Sequence, residues 1–146
     1  YNSKEYSVTS IGDYVFEGCK GLTSVTIPNS VTSIGYEAFY HCSGLTSVTI
    51  PNSVTSIGGY AFHSCSGLTE IKVESGNSKY DSRDSCNAVI ETAKNSIILG
   101  GKNTMIPNSI TVIRNGCFYS SGLTSIVWPE SLETIEEEAF EDCKFK

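Results

Sequence analysis

Six cysteines and two histidines are the residues of this chain best suited to chemistry, and their spacing decides what they can do. Cys19, Cys42 and Cys65 lie 23 residues apart, and Cys143 occupies the same place in a later copy of the surrounding pattern. Cys117 instead takes the place of Ala38 and Ala61, and Cys86 stands apart. If the copies stack, column neighbours have Cα atoms about 5 Å apart, a span that a disulfide can bridge. Yet a column of three cannot pair completely, and a cysteine at one fixed inward place behaves as a small core hydrophobe. Free buried thiols are therefore expected, against the usual oxidised state of exported cysteines. His41, Cys42, His63 and Cys65 suggest zinc only until the register is counted: the histidines are 22 apart, one residue out of step with the cysteines. Asp81 and Asp84 lack the D-x-[DN]-x-[DN]-G spacing of a calcium loop and have Arg83 between them. Neither a metal nor a cofactor is expected. G-x-S-x-G, H-E-x-x-H and P-loop patterns are missing from the sequence, so no catalytic residue is nominated.

The elements that must position these residues follow from the same step. Phe16, Phe39 and Phe62 repeat at 23 residues, as do Ile11, Ile34 and Ile57, and Leu22, Leu45 and Leu68. A fixed period carried by apolar columns signals one small unit built repeatedly and stacked. In residues 22–44 the L-x-x-V-x-I spacing of Leu22, Val25 and Ile27 predicts a short strand with one face inward. Pro28-Asn29 ends it, Val31 and Ile34 supply a second extended piece, and Gly35 opens a corner. Ala38, Phe39 and Cys42 are spaced for a helical or 3-10 turn that faces all three inward. No coil can bury its own Leu, Val, Ile and Phe, so stacking completes the core. About six coils at about 4.8 Å give a body roughly 30 Å long.

The period slips once. After Val73 the Pro-Asn corner becomes Glu74-Ser75-Gly76-Asn77, and Ile57 to Ile113 measures 56, ten more than two periods. Ala88–Thr92 and Ser96–Leu99 are apolar runs around Ala93-Lys94-Asn95, the pattern of a hairpin. The expected organisation is one solenoid over 1–146, with regular coils over 1–73 and 107–146 and an irregular coil over 74–106.

Composition excludes several functions. A net charge of −6, with ten basic residues scattered singly, argues against a nucleic-acid groove. No apolar stretch reaches the roughly 20 residues needed to span a bilayer. Residues 1–15 lack the apolar core of a signal peptide and already sit in repeat register, so the chain reads as a segment of something longer. Glu130, Glu133, Glu136, Glu137, Glu138, Glu141 and Asp142 crowd the end, which suits a solubilising terminal coil better than a site for a basic partner.

L-x-x-V-x-I-P-x-S-V-x-x-I-G-x-x-A-F-x-x-C, present in full at 22–42 and 45–65, resembles the leucine-rich repeat of BspA-like bacterial surface proteins. The resemblance implies a secreted or cell-surface protein of host-associated microbes, of the adhesin type, that binds host matrix proteins or other cells. It carries no catalytic residues. The expected fold is a leucine-rich solenoid of stacked β-coils with a parallel concave sheet, short helical or 3-10 turns, and one irregular coil with a hairpin insert. Strand alternation turns Ser24, Thr26, Ser47, Thr49, Glu70, Lys72, Ser125 and Val127 outward on that sheet. With Tyr80, Asp81, Arg83 and Asp84 of the insert they form the candidate surface for a protein or glycan partner. A monomeric, extracellular scaffold is expected, the alternative being a spacer that supports another domain.

Overall fold

The computed structural model describes residues 4–145. It is a stack of β-coils with almost no helix, and its rungs follow the 23-residue step. Strands β1 (Ser10–Ile11), β2 (Ser33–Ile34) and β4 (Ser56–Ile57) form a parallel ladder in which Ser10 faces Ser33 and Ser33 faces Ser56. On a second side β3 (Ser47–Ile50) and β5 (Glu70–Val73) pair in parallel, and Ser24 adds an isolated bridge to Ser47. All four prolines occupy one kind of corner: the N–H groups of Val31, Val54, Ile110 and Leu132 donate to the carbonyls of Pro28, Pro51, Pro107 and Pro129.

The remaining side holds Phe39, Ala38 and Cys42, all fully buried as their spacing predicts. Its backbone is a run of tight turns rather than a continuous helical turn. Two residues in each coil are left-handed: Tyr14 and Gly18, Glu37 and His41, Tyr60 and Ser64, Gly116 and Ser120, Glu138 and Asp142. Non-glycine residues in that conformation cost on the order of 1 kcal/mol each. The return is that every second N–H points along the stack. Tyr14, Phe16 and Gly18 donate to the carbonyls of Tyr36, Ala38 and Tyr40 in the next coil, and Glu37, Phe39 and His41 to those of Gly59, Ala61 and His63. The close approach of neighbouring coils is why Gly58 is glycine: a Cβ there would lie 2.5 Å from the backbone nitrogen of Tyr36. Phenylalanines stack inside at the same step, with centroids 5.1 Å apart for Phe16–Phe39 and 4.9 Å for Phe39–Phe62.

The insert builds three further strands. β6 (Tyr80–Asp81), β7 (Ala88–Glu91) and β8 (Ser96–Gly100) are antiparallel neighbours, and β8 then pairs in parallel with β9 (Val112–Ile113), which pairs with β10 (Thr134–Ile135). The expected hairpin is therefore present, closed by a 3-10 turn at Thr92–Lys94 with Asn95 left-handed. It has cores on both faces. Val89 and Leu99 join the cluster of the first coils, whereas Ala88, Ile90 and Ile97 join a second cluster with Ile113, Phe118 and Leu123. Burial on both faces explains the unbroken apolar runs that replace strict alternation.

Phe39 is stacked on both sides, whereas among the described residues Phe62 has a stacked ring neighbour only toward Phe39. Truncating a buried Phe to Ala costs about 3–5 kcal/mol. We expect Phe39→Ala near the top of that range and Phe62→Ala near the bottom, measured by urea denaturation.

Candidate functional site

The hydroxyls of this chain fall into two sets, and backbone geometry separates them. Thr32, Thr46, Thr55 and Thr69 donate their side-chain O–H to the carbonyls of Thr9, Thr23, Thr32 and Thr46, one coil back. These threonines are part of the scaffold. Ser24, Thr26, Ser47 and Thr49 instead make no side-chain hydrogen bond among the described residues; Ser47 is half-buried and the other three are exposed. Register places them in rows: Ser24 beside Ser47 and Ser47 beside Glu70, with Thr49 beside Lys72. Buried Val48 and Ile50, and Ile71 on the next strand, anchor the same strands from the other face. Glu70 and Lys72 are exposed and paired at 2.6 Å, an interaction worth little in solvent. This face is a flat strip of uncommitted hydroxyls ending in one ion pair. Ser125 and Val127 are exposed but lie in a segment without strand pairing, beyond the insert, so they are not rows of the same ladder.

The insert candidates have a different role. Tyr80 is buried, and its hydroxyl accepts from the Ile57 N–H at 3.1 Å. Asp81 receives Arg83 Nε at 2.8 Å and Nη2 at 2.6 Å, and also the Thr92 hydroxyl. Desolvation raises the Asp81 carboxyl, but the hydrogen bonds from Arg83 and Thr92 outweigh it and hold the group below its ordinary value. Arg83 reaches on to Asn95 and Ser109, tying the insert to the next coil. Asp84 alone of the four is exposed and has no side-chain partner among the described residues; its backbone is left-handed.

Sequence reasoning missed a group of residues that terminate the third coil where the period slips. The amide of Asn77 donates to the carbonyls of Pro51 and Val54, both at 2.9 Å. Asn87 accepts from the Ile71 N–H at 2.7 Å and donates to the Thr69 carbonyl at 3.1 Å. With Tyr80 they replace backbone partners that the next regular coil would have supplied. Their signal was present: asparagine and tyrosine stand where the repeat has apolar or serine residues.

The cysteine column also has a polar role. The thiols of Cys42, Cys65 and Cys143 donate at 3.1 Å to the carbonyls of Phe16, Phe39 and Phe118 in the preceding coil. All six cysteines are free thiols in this structure. Burial pushes the Cys65 thiol up to about 12 and also raises Cys42, Cys86 and Cys117. His63 Nε2 is buried without a partner, while Ser64 Oγ lies 3.1 Å from Nδ1. Burial holds this imidazole below its ordinary value, His41 adding to the effect and Glu37 opposing it. His63 stacks on Tyr40, lies tilted against Tyr119 and does not converge with the cysteines: no three His, Cys, Asp or Glu side chains among the described residues could hold one metal ion.

The BspA type leucine rich repeat region matches in six copies over residues 3–97 and 99–146. The chain belongs to that family. No curated protein resembles it significantly. Among solved structures, a leucine rich cell surface protein from Faecalibacterium prausnitzii A2-165 is 34% identical, with TM-score 0.75, over 88% of this chain and 35% of that one. A leucine-rich repeat protein from Bacteroides ovatus is 27% identical, with TM-score 0.59, over 95% of this chain and 34% of that one. The pneumococcal vaccine antigen PcpA is 22% identical with TM-score 0.72, over 92% of this chain and 40% of that one, and shows the fold alone. This BspA-type chain thus spans between a third and two fifths of the length of these three structures. Among its described residues, no helix is long and apolar enough to cross a membrane.

Under native conditions Cys19, which is exposed, and Cys143, which is half-buried, should react with a thiol reagent. Cys42, Cys65, Cys86 and Cys117 should react only after denaturation, as mass spectrometry of the labelled peptides would show. Because the folded His63 binds its proton less readily than the unfolded one (about 6.5), stability is steady above that pH and falls as pH drops below it. His63→Phe should flatten that fall, read as the shift in urea midpoint between pH 7.5 and 5.5.

Proposed function

We propose that this segment is a non-catalytic interaction scaffold of a bacterial surface protein, which binds a protein or glycan partner across the face formed by Ser24, Thr26, Ser47, Thr49, Glu70 and Lys72. One observation carries the reading. Among the described residues these hydroxyls are left out of the fold's hydrogen bonding, while Thr46 and Thr69, beside Ser47 and Glu70, each bond to the coil before. Parallel pairing holds the rows at a strand spacing of about 4.8 Å, so many weak contacts can add without ordering a loop. An extracellular setting is part of the proposal, supported by the relative described as a cell surface protein. The insert then serves mainly to support the scaffold, since Tyr80, Asp81 and Arg83 are engaged internally; Asp84 is its exposed contribution.

A second reading has its own support. A stack that grows by one rung per coil is also a spacer, holding another domain at a distance. The two readings separate on titration of the purified segment against immobilised matrix proteins and glycans. Saturable binding is expected, weakened at least tenfold by Ser47→Arg with Thr49→Arg and unchanged by a control substitution of Lys94, which lies on the hairpin turn. The absence of saturable binding by a folded segment would leave the spacer reading standing.

A further inference from the structure

The third coil is capped at its strand sides but not at its turn side. By analogy with Tyr14, Phe16 and Gly18, and with Glu37, Phe39 and His41, the N–H groups of Tyr60, Phe62 and Ser64 should donate to a following coil. Among the described residues they have no acceptor. The pattern resumes later, where Gly116, Phe118 and Ser120 donate to Glu137, Ala139 and Glu141.

Unequal rung numbers cause the gap. Between Ile57 and Ile113 the strand side gains β6, β7 and β8, whereas the turn side passes from Phe62 directly to Phe118. The Phe column breaks there: Phe39–Phe62 and Phe118–Phe140 are stacked, at 4.9 and 5.1 Å, but Phe62 and Phe118 are not. The place one period beyond Phe62 is Ser85. The side chains of Tyr60 and His63 bridge part of the gap, Tyr60 through its hydroxyl to Asn115 and His63 by packing its ring against Tyr119. What remains is a cavity of about 310 Å³, whose wall includes Tyr60, Phe62, Leu68, Val89, Ile98 and Leu99. That volume is at the small end of ligand sites, which run from about 300 to 1,000 Å³. A register shift in β8 leaves Ile98 unpaired, a bulge that brings Ile98 and Leu99 together onto this wall.

We propose that this cavity binds a small uncharged aromatic molecule bearing a carbonyl group. Its ring takes the vacant place beside Phe62, where an offset aromatic contact adds to apolar burial. Its carbonyl oxygen accepts from the Phe62 N–H, supplying one of the acceptors that the missing coil does not. Donors without an acceptor favour a ligand that carries one over a bare hydrocarbon. The charges of the lining select a neutral ligand: Glu91 is paired with Lys94 at 3.0 Å and Glu136 with Arg114 at 3.4 Å, so each already has its counter-charge.

The test is an amide-resolved NMR titration of the folded segment with phenylacetamide, with toluene and phenylacetate as comparisons. Saturable shifts are expected at the Phe62 amide, with nuclear Overhauser contacts from the ligand ring to the Phe62 ring and the Ile98 methyls. Toluene and phenylacetate should each bind at least tenfold more weakly. Ile98→Trp, which fills the cavity, should abolish the shifts; should that variant not fold, the ring contacts to Phe62 decide the question alone. No saturable shift, ring contacts elsewhere, or toluene or phenylacetate binding as tightly as phenylacetamide would overturn the proposal. Loss of partner binding at the Ser47 face would leave this result unchanged, because the two sites share no residue.

Discussion

Backbone hydrogen bonding from each coil to the next is the constraint on which this structure depends. A single coil is too small to satisfy its own N–H and carbonyl groups, so every second N–H on the turn side is aimed along the stack. That aim requires two left-handed residues per coil, most of them not glycine, and the strain is held because the neighbouring coil accepts the bond. Phe stacking, the threonine hydroxyls and the cysteine thiols all act at the same step. Each reaches one coil back or forward, and none has a partner within its own coil.

The insert shows what happens when such a stack is interrupted. Three extra strands on one side cannot be matched on the other without a further Phe, a further corner and a further set of carbonyls. Polar side chains close the strand sides: Asn77, Tyr80 and Asn87 stand in for backbone groups. The hairpin itself separates two cores, with Val89 and Leu99 toward one and Ile90 and Ile97 toward the other. The polar side chains are thereby divided in their use. The regular strands display free hydroxyls, whereas the irregular coil uses most of its polar residues to hold the scaffold together.

Much of this was legible in the sequence. The columns of Ile11, Phe16, Cys19 and Leu22 announced a stacked solenoid because a periodic apolar residue has to meet its own copy. The hairpin was legible from two apolar runs about a short polar turn, and the family from the complete motif at 22–42 and 45–65. The turn side was read less well, because inward spacing of Ala38, Phe39 and Cys42 suits a helical turn and a chain of left-handed turns equally. Grouping Ser125 and Val127 with the serine rows also failed, since periodicity does not reveal that the pairing stops at β5.

By itself, then, the sequence determined the repeat, the class of fold and which side chains face inward, because these follow from local spacing and apolar character. Tertiary structure decided which polar groups are spent. Whether a threonine hydroxyl is free or bonded, whether Asp81 meets Arg83, and whether the N–H of Phe62 finds an acceptor all depend on a neighbour at least a coil away or on a turn that folds back. Such partners are set by the stacking of coils and by the unequal strand count at the insert, and neither can be read from one unit alone.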